Sequence, residues 1–264
     1  MPESARLSPA ETPRPAPVRR FWLAPLAAAL LALHFLLAGG GKLGESVTSD
    51  ELVHLTGGVS YWQNHDYRLH PENGILPQRW AALPAWLGGA KFPPLADNLS
   101  WYTSDVWGMG YQFFYQTGED HFPRLMAGRA MIALFSVGTG LLVFCWSRHL
   151  FGDVGAFVSL GFFTFCPTFL AHGALVTSDV CMAFFFLAVS GLWWRHLHDG
   201  RTSVWALSAL TLGLACVAKY SAVLFLPILG LMALVRTWSA EPLALFGRRF
   251  STRRSKLEIG RAHV

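Results

Sequence analysis

Hydrophobic residues in this chain fall in long blocks separated by short polar punctuation. Asp, Glu, Lys and Arg are absent from Phe21–Gly41, Ala130–Ser147, Val154–Ser178, Val180–Trp194, Thr202–Ala218 and Tyr220–Val235. A helix needs roughly 20 mostly apolar residues to cross the hydrocarbon core, with a range of about 17–25. The blocks meet that length, or reach it with polar flanks. They predict spans at 21–38, 126–146, 154–171, 179–195, 203–218 and 221–237. The first block is longer than the roughly 7–15-residue apolar core of a cleaved secretory signal, so it reads as an uncleaved helix. Between the first two spans lies Gly39–Leu125, which holds most of the aromatic and acidic residues outside the spans. Within it Leu76–Leu87, with Trp80 and Trp86, predicts a helix lying in the membrane interface, where Trp is favoured. The pattern predicts an all-α polytopic membrane protein with about six transmembrane helices. The long first extracytoplasmic loop would carry interfacial helices.

Composition sharpens this picture. Of the 264 residues, 53% are hydrophobic and 14% charged, where soluble domains carry about 25% charged residues. The sequence pI of about 9.2 would suit nucleic acid, but retention of Lys and Arg in cytoplasmic segments explains it in a membrane protein. Membrane lipids are therefore the expected surroundings, and no nucleic-acid partner is expected. Arg19 and Arg20 precede the first span, which predicts a cytoplasmic amino terminus in a multi-pass protein of the cell (plasma or inner) membrane. Cys145, Cys166, Cys181 and Cys216 all lie in apolar runs without a Cys-X-X-Cys spacing, so neither a zinc site nor a disulfide framework is expected.

Domain organisation follows from the same blocks. Residues 1–20, rich in Pro and Arg, read as a disordered cytoplasmic tail. Residues 21–238 form the membrane part, with 39–125 as its first extracytoplasmic loop, and 239–257 a basic cytoplasmic segment. Glu258–Val264 resembles the translation of a sequencing adaptor read in frame, and is set aside as an assembly artefact.

Polar residues at the outer ends of the spans carry the candidate chemistry. Asp50 and Glu51 follow the first span, in the first turn of a helix that Thr48 or Ser49 can cap. His54 continues that helix. His70-Pro71-Glu72-Asn73 precedes the interfacial helix and reads as a turn, or as a pair sharing a metal or phosphate. His172 and Asp179 join the third and fourth spans, Arg129 heads the second, and Lys219 separates the fifth from the sixth. Each has a bland use as a cap, a turn or a snorkelling cation. Gathered at one membrane face, they suit a reaction on a phosphate-linked lipid: carboxylates act as general bases, cations stabilise a leaving phosphate, and ionisable groups beside spans mark functional sites by default.

Three stretches resemble the GT-C glycosyltransferases of the protein O-mannosyltransferase and aminoarabinose transferase type (glycosyltransferase family 39-like). They are Ser49-Asp50-Glu51-Leu52-Val53-His54, the run from Gly128-Arg129-Ala130 to Phe151-Gly152, and Pro167 to Ser178-Asp179. Gly213 to Lys219-Tyr220 is similar to the family's Gly-rich span ending in Lys. The resemblance covers about residues 20–238 and implies an amino-terminal fragment of a longer enzyme. It implies inverting transfer of a sugar, mannose or a related hexose or pentose, from a polyprenyl-phosphate donor to a protein, lipid or glycan hydroxyl on the extracytoplasmic face. By resemblance Asp50 would be the catalytic base with Glu51 beside it. Arg129 and Lys219 would take the donor phosphate, and His54, His70, Glu72, His172 and Asp179 would line the substrate or metal site. The cofactor stays open, a divalent cation being one option. Two other classes stay open as well. One is a transporter or flippase, which would place polar sites in broken helices near the midplane. The other is a non-catalytic subunit that binds partners through the long loop.

Overall fold

In a bilayer every backbone N–H and C=O must be satisfied within the chain, so apolar blocks of spanning length fold as helices. The computed structural model describes residues 22–251; the amino-terminal tail and the adaptor-like residues 258–264 lie outside this range. Helix α1 is Leu23–Gly40. The loop region then builds α2 (Ser49–Gln63), α3 (Ile75–Leu87), α4 (Leu99–Tyr102) and α5 (Val106–Tyr115). The remaining helices are α6 (Phe122–Thr164), α7 (Pro167–His172), α8 (Asp179–Asp199), α9 (Thr202–Ala218) and α10 (Phe225–Trp238). Four segments among the described residues are long and apolar enough to cross a membrane: Leu23–Gly40, Phe122–Thr164, Asp179–Asp199 and Tyr220–Trp238. The apolar α9 is slightly shorter.

The 43-residue α6 is two passes rather than one rod. Gly152 sits at φ +71° and ψ −168°, a conformation open to glycine and strained for other residues. The chain folds back there: Phe144 meets Phe157 with ring centroids 5.2 Å apart, and Phe163 lies against Gly140. A straight helix would hold Phe144 and Phe157 about 20 Å apart at 1.5 Å per residue. Arg148 and Asp153 pair across the corner at 2.9 Å. The second arm packs beside α1, where Ala27, Phe144, Ala156, Leu160 and Phe163 form one buried cluster.

Three of the shifts from the predicted boundaries have a local cause. The second span begins at Phe122 rather than 126, because Pro123 occupies the first turn, where its missing N–H costs nothing. The third span breaks after Thr164 and resumes as α7. Pro167 drives this: it disfavours helical geometry at the residue before it, and Cys166 is extended at φ −64° and ψ 117°. The sixth opens with a 3-10 turn, Tyr220–Leu224, before α10.

The predicted interfacial helix appears as α3, but it is wedged into the protein more deeply than an interface-lying helix needs to be. Pro77, Gln78, Ala81, Ala82 and Ala85 are buried, and Ala81, Ala82 and Ala85 share one core cluster with Leu55, Val59, Leu125 and Ile132. Trp80 donates through Nε1 to the Met131 carbonyl at 2.8 Å, which fixes α3 to the first arm of α6.

After α10 the chain forms a short hairpin, β1 (Leu243–Leu245) with β2 (Arg248–Phe250), paired Leu243 to Phe250 and Leu245 to Arg248. Phe246 and Gly247 both have positive φ, +47° and +78°, the signature of a two-residue hairpin turn. Gly247 donates to the Gly200 carbonyl at 2.7 Å, so the hairpin closes the end of the bundle at the α8–α9 corner. The region after α2 and the junctions α7–α8 and α9–α10 gather at the other end.

Candidate functional site

Helix α2 sets the site. Thr48 is its N-cap in a full capping box: the hydroxyl accepts from the Glu51 N–H, and the Glu51 carboxylate takes the Thr48 N–H. Capping fixes where the first turn points. Successive helix residues are about 100° apart, so the two neighbouring acids diverge. Glu51 turns inward and is fully buried; Asp50 is exposed.

Glu51 meets Arg129, 1% exposed, in a bidentate ion pair: Nε to Oε1 and Nη2 to Oε2, both 2.7 Å. Arg129 also donates Nη1 to the Lys42 and Glu45 carbonyls, at 3.0 and 3.1 Å, and Nη2 to the Ser46 carbonyl at 2.9 Å. A guanidinium has five N–H donors, and these contacts use all five. Glu51 accepts in addition from the Val176 N–H at 3.1 Å. Burial alone would push the Glu51 carboxyl up, but Arg129 and the Thr48 and Val176 N–H groups together hold it below the usual carboxylate range. The pair thus ties together α2, α6, the 42–46 loop and the α7–α8 junction. The expected phosphate role of Arg129 has no N–H to act through in this arrangement, and Glu51 faces away from the surface.

Beside this clamp the remaining groups converge. His54 is buried, with Nδ1 donating to the Asp50 carbonyl at 2.7 Å and Nε2 unpartnered among the described residues. Its ring lies edge-on to His70, centroids 4.7 Å apart. Burial lowers the His54 pKa to about 4, opposed by the Asp50 carbonyl and deepened by the His70 charge, while the Asp50 and Asp179 carboxylates favour the protonated form. His70 accepts on Nε2 from the Asn73 amide at 3.0 Å and faces Glu72 through Nδ1 at 3.0 Å; it too is lowered by burial, against the pull of Glu72. The turn 70–74 is anchored at both ends. Gln78 donates to the His70 carbonyl at 2.8 Å, and Gly74, at φ +86°, lies so close to the Ala218 carbonyl and Lys219 nitrogen that a Cβ would collide with them.

That contact brings the first loop against the end of α9. There Lys219 Nζ reaches Asp179 Oδ1 at 2.5 Å. Asp179 stands in the first turn of α8, where a carboxylate is favoured by the helix dipole, and its side chain is 64% exposed. The structure therefore brings Asp50, His54, His70, Glu72, Asp179 and Lys219 into one neighbourhood. No contact ties His172 to this group: it is exposed at the end of α7 and its side chain makes no hydrogen bond or ion pair among the described residues. No three His, Cys, Asp or Glu side chains among the described residues converge closely enough to hold a metal ion. Sequence reading missed Arg79, whose guanidinium stacks 3.8 Å from the Trp62 ring centroid. The signal lay in its place beside Trp80 on the interfacial helix.

Comparison with known proteins bears on the later half of this arrangement. Residues 122–248 match the model of the dolichyl-phosphate-mannose-protein mannosyltransferase family, a segment that includes Arg129, His172, Asp179 and Lys219 but not the groups on α2 and the 70–74 turn. No curated protein and no solved structure matches the chain significantly. The all-α bundle and the match over residues 122–248, just under half of the chain, together support kinship with GT-C-type glycosyltransferases in general.

Proposed function

We propose that the protein transfers a sugar from a polyprenyl-phosphate carrier to a hydroxyl acceptor on the extracytoplasmic face, with inversion at the anomeric carbon. One observation carries the reading. Asp50 is an exposed carboxylate with no hydrogen bond or ion pair among the described residues, set beside His54, His70 and the Asp179–Lys219 pair. An unpaired carboxylate held at a capped helix start is suited to take a proton.

In the proposed step the acceptor oxygen attacks the anomeric carbon and its proton passes to the Asp50 carboxylate. The bond from that carbon to the phosphate oxygen breaks, and the lipid phosphate leaves with the electron pair. Lys219 stabilises the departing phosphate, with Asp179 holding the ammonium in place. His54, neutral near pH 7 with its Nδ1 proton committed to the Asp50 carbonyl, packs under the acid as a positioning residue. Glu72 and His70 border the acceptor side. Glu51 and Arg129 serve as the clamp that holds α2 against the bundle, which reassigns both from the roles that resemblance implied. The reading includes a cytoplasmic amino terminus in the cell membrane, which the positions of Arg148, Arg195, Arg201 and Arg236, at the helix ends away from the site, support.

The test is transfer from a polyprenyl-phosphate-linked sugar by wild type and Asp50→Asn, with the thermal midpoint of both measured in detergent. Loss of about 10²–10⁴-fold in turnover, the usual contribution of a general base, with an unchanged midpoint supports the reading. Equal turnover removes Asp50 from the reaction.

A further inference from the structure

An apolar groove runs from the charged site along the surface between α3 and α9. Its walls are Trp62, Ile75, Leu76, Trp80 and Leu83, with Val217 facing them from α9. The cavity measures about 390 Å³, within the roughly 300–1,000 Å³ of small-molecule sites. It starts at the reaction neighbourhood: Ile75 follows Gly74, which touches the Ala218 carbonyl, and Val217 stands two residues before Lys219.

One cation lines this groove, Arg79. Its Nη1 donates to the Tyr67 hydroxyl at 2.8 Å, and its guanidinium carbon lies over the Trp62 ring, 3.8 Å from the centroid. No carboxylate pairs with it among the described residues, and Nε and Nη2 donate to nothing there. The other cations of the site are spent, Arg129 on the Glu51 carboxylate and three loop carbonyls, and Lys219 on Asp179. A fixed, unneutralised guanidinium at an apolar groove in the interface complements an anion attached to a hydrocarbon chain.

We infer that the α3–α9 groove holds the first isoprene units of the polyprenyl-phosphate donor, with Arg79 taking its phosphate. The inference rests on the glycosyltransferase reading for the identity of the lipid. Stacking on Trp62 and the bond to Tyr67 orient the guanidinium and leave its open edge for two phosphate oxygens. The branched chain lies on Leu76, Leu83 and Val217, and the phosphate is shared between Arg79 and Lys219, with the sugar beyond it facing Asp50.

Binding without turnover tests this. The full chain in detergent micelles is titrated with undecaprenyl phosphate, undecaprenol and phosphatidylglycerol, and the thermal midpoint is read, since a ligand of the native state raises it by mass action. Wild type should respond to undecaprenyl phosphate at the lowest concentration. Arg79→Gln should need at least about tenfold more, because it removes a charge-assisted hydrogen bond to the phosphate, while its response to undecaprenol stays unchanged. Arg79→Lys should recover part of the difference. Val217→Trp, which fills the groove while leaving Arg79 in place, should weaken both polyprenyl ligands. An undiminished response of Arg79→Gln or Val217→Trp overturns the assignment. So does an equal response of wild type to phosphatidylglycerol, which would make the groove a general anionic-lipid site. Binding as described without any sugar transfer would leave the groove standing and remove the glycosyltransferase reading; transfer with unimpaired Arg79→Gln would do the reverse.

Discussion

Arg129 and Glu51 face each other at 2.7 Å through both carboxylate oxygens, with neither side chain reaching solvent. They lie 78 positions apart in the chain, and the loop carbonyls of Lys42, Glu45 and Ser46 complete the guanidinium's coordination. Buried pairs of this kind contribute little over an apolar substitute, but breaking one partner leaves an uncompensated charge. The position of α2, and so of Asp50, depends on this contact.

Arg129→Ala should therefore destabilise the protein by about 3–5 kcal/mol, read as a lowered thermal midpoint in detergent. Arg129→Lys should recover only a fraction, since an ammonium cannot reproduce the planar fork. A midpoint unchanged in both variants would show that the clamp is dispensable. The pair also has an acid limit. The folded Glu51 pKa is depressed, so its contribution is present above the ordinary Glu range of about 4.3 and is lost as pH falls through the folded value.

His54 titrates at about 4 in the folded protein against about 6.5 in an unfolded chain. Between those values the unfolded state binds the extra proton, so stability is greatest above about pH 6.5 and declines as pH falls towards 4. Burial of the ring dominates this shift, and the Asp50 carbonyl, His70 and the Asp50 and Asp179 carboxylates modulate it. His54→Gln should flatten that part of the stability curve measured from pH 4 to pH 8. A curve of unchanged slope would assign the decline to other groups.

Gly74 places the 70–74 turn against α9. Gly74→Ala must accommodate φ +86° and a collision with the Ala218 carbonyl, and strain of this type costs about 1–3 kcal/mol. The expected outcome is a lowered thermal midpoint together with a fall in turnover, because His70 and Glu72 move away from Lys219. Native turnover in Gly74→Ala would separate this turn from the reaction.

Lys219→Gln keeps a polar side chain but removes the cation that faces Asp179. Turnover should drop at least about tenfold through loss of charge opposite the leaving phosphate, with little change in stability, since partly exposed ion pairs are worth roughly 0–1 kcal/mol. Asp179→Asn, which frees the ammonium, should have the smaller effect. Steady-state rates at saturating donor distinguish the two, and an unimpaired Lys219→Gln would exclude this lysine from phosphate departure.

Much of the architecture was legible in the sequence because hydrocarbon solvation is a local requirement. A block without charges either spans or fails to insert, and this holds whatever its neighbours do. The starts and stops were legible for the same reason: Asp179 opens α8 and Lys219 follows α9, since ionisable groups collect where the hydrocarbon ends. Thr48 as the cap of α2 was readable as one of two adjacent candidates. The hairpin Leu243–Phe250 was not read; its strands, Leu-Ala-Leu and Arg-Arg-Phe, are only three residues long, and contact with Gly200 gives them a place.

The sequence by itself determined the solvent of this protein, the placing of its spans and the set of polar residues at their ends. Tertiary structure decided which of those residues are free to react. Asp50 and Glu51 are adjacent in sequence and alike in chemistry, yet the helix turns one outward and the other into a guanidinium from another span. Arg129 and Arg79 are the same residue type, but one has every N–H engaged and the other lies open on an apolar groove. Availability is a property of partners, and partners that are tens of residues away are chosen by packing rather than by local pattern.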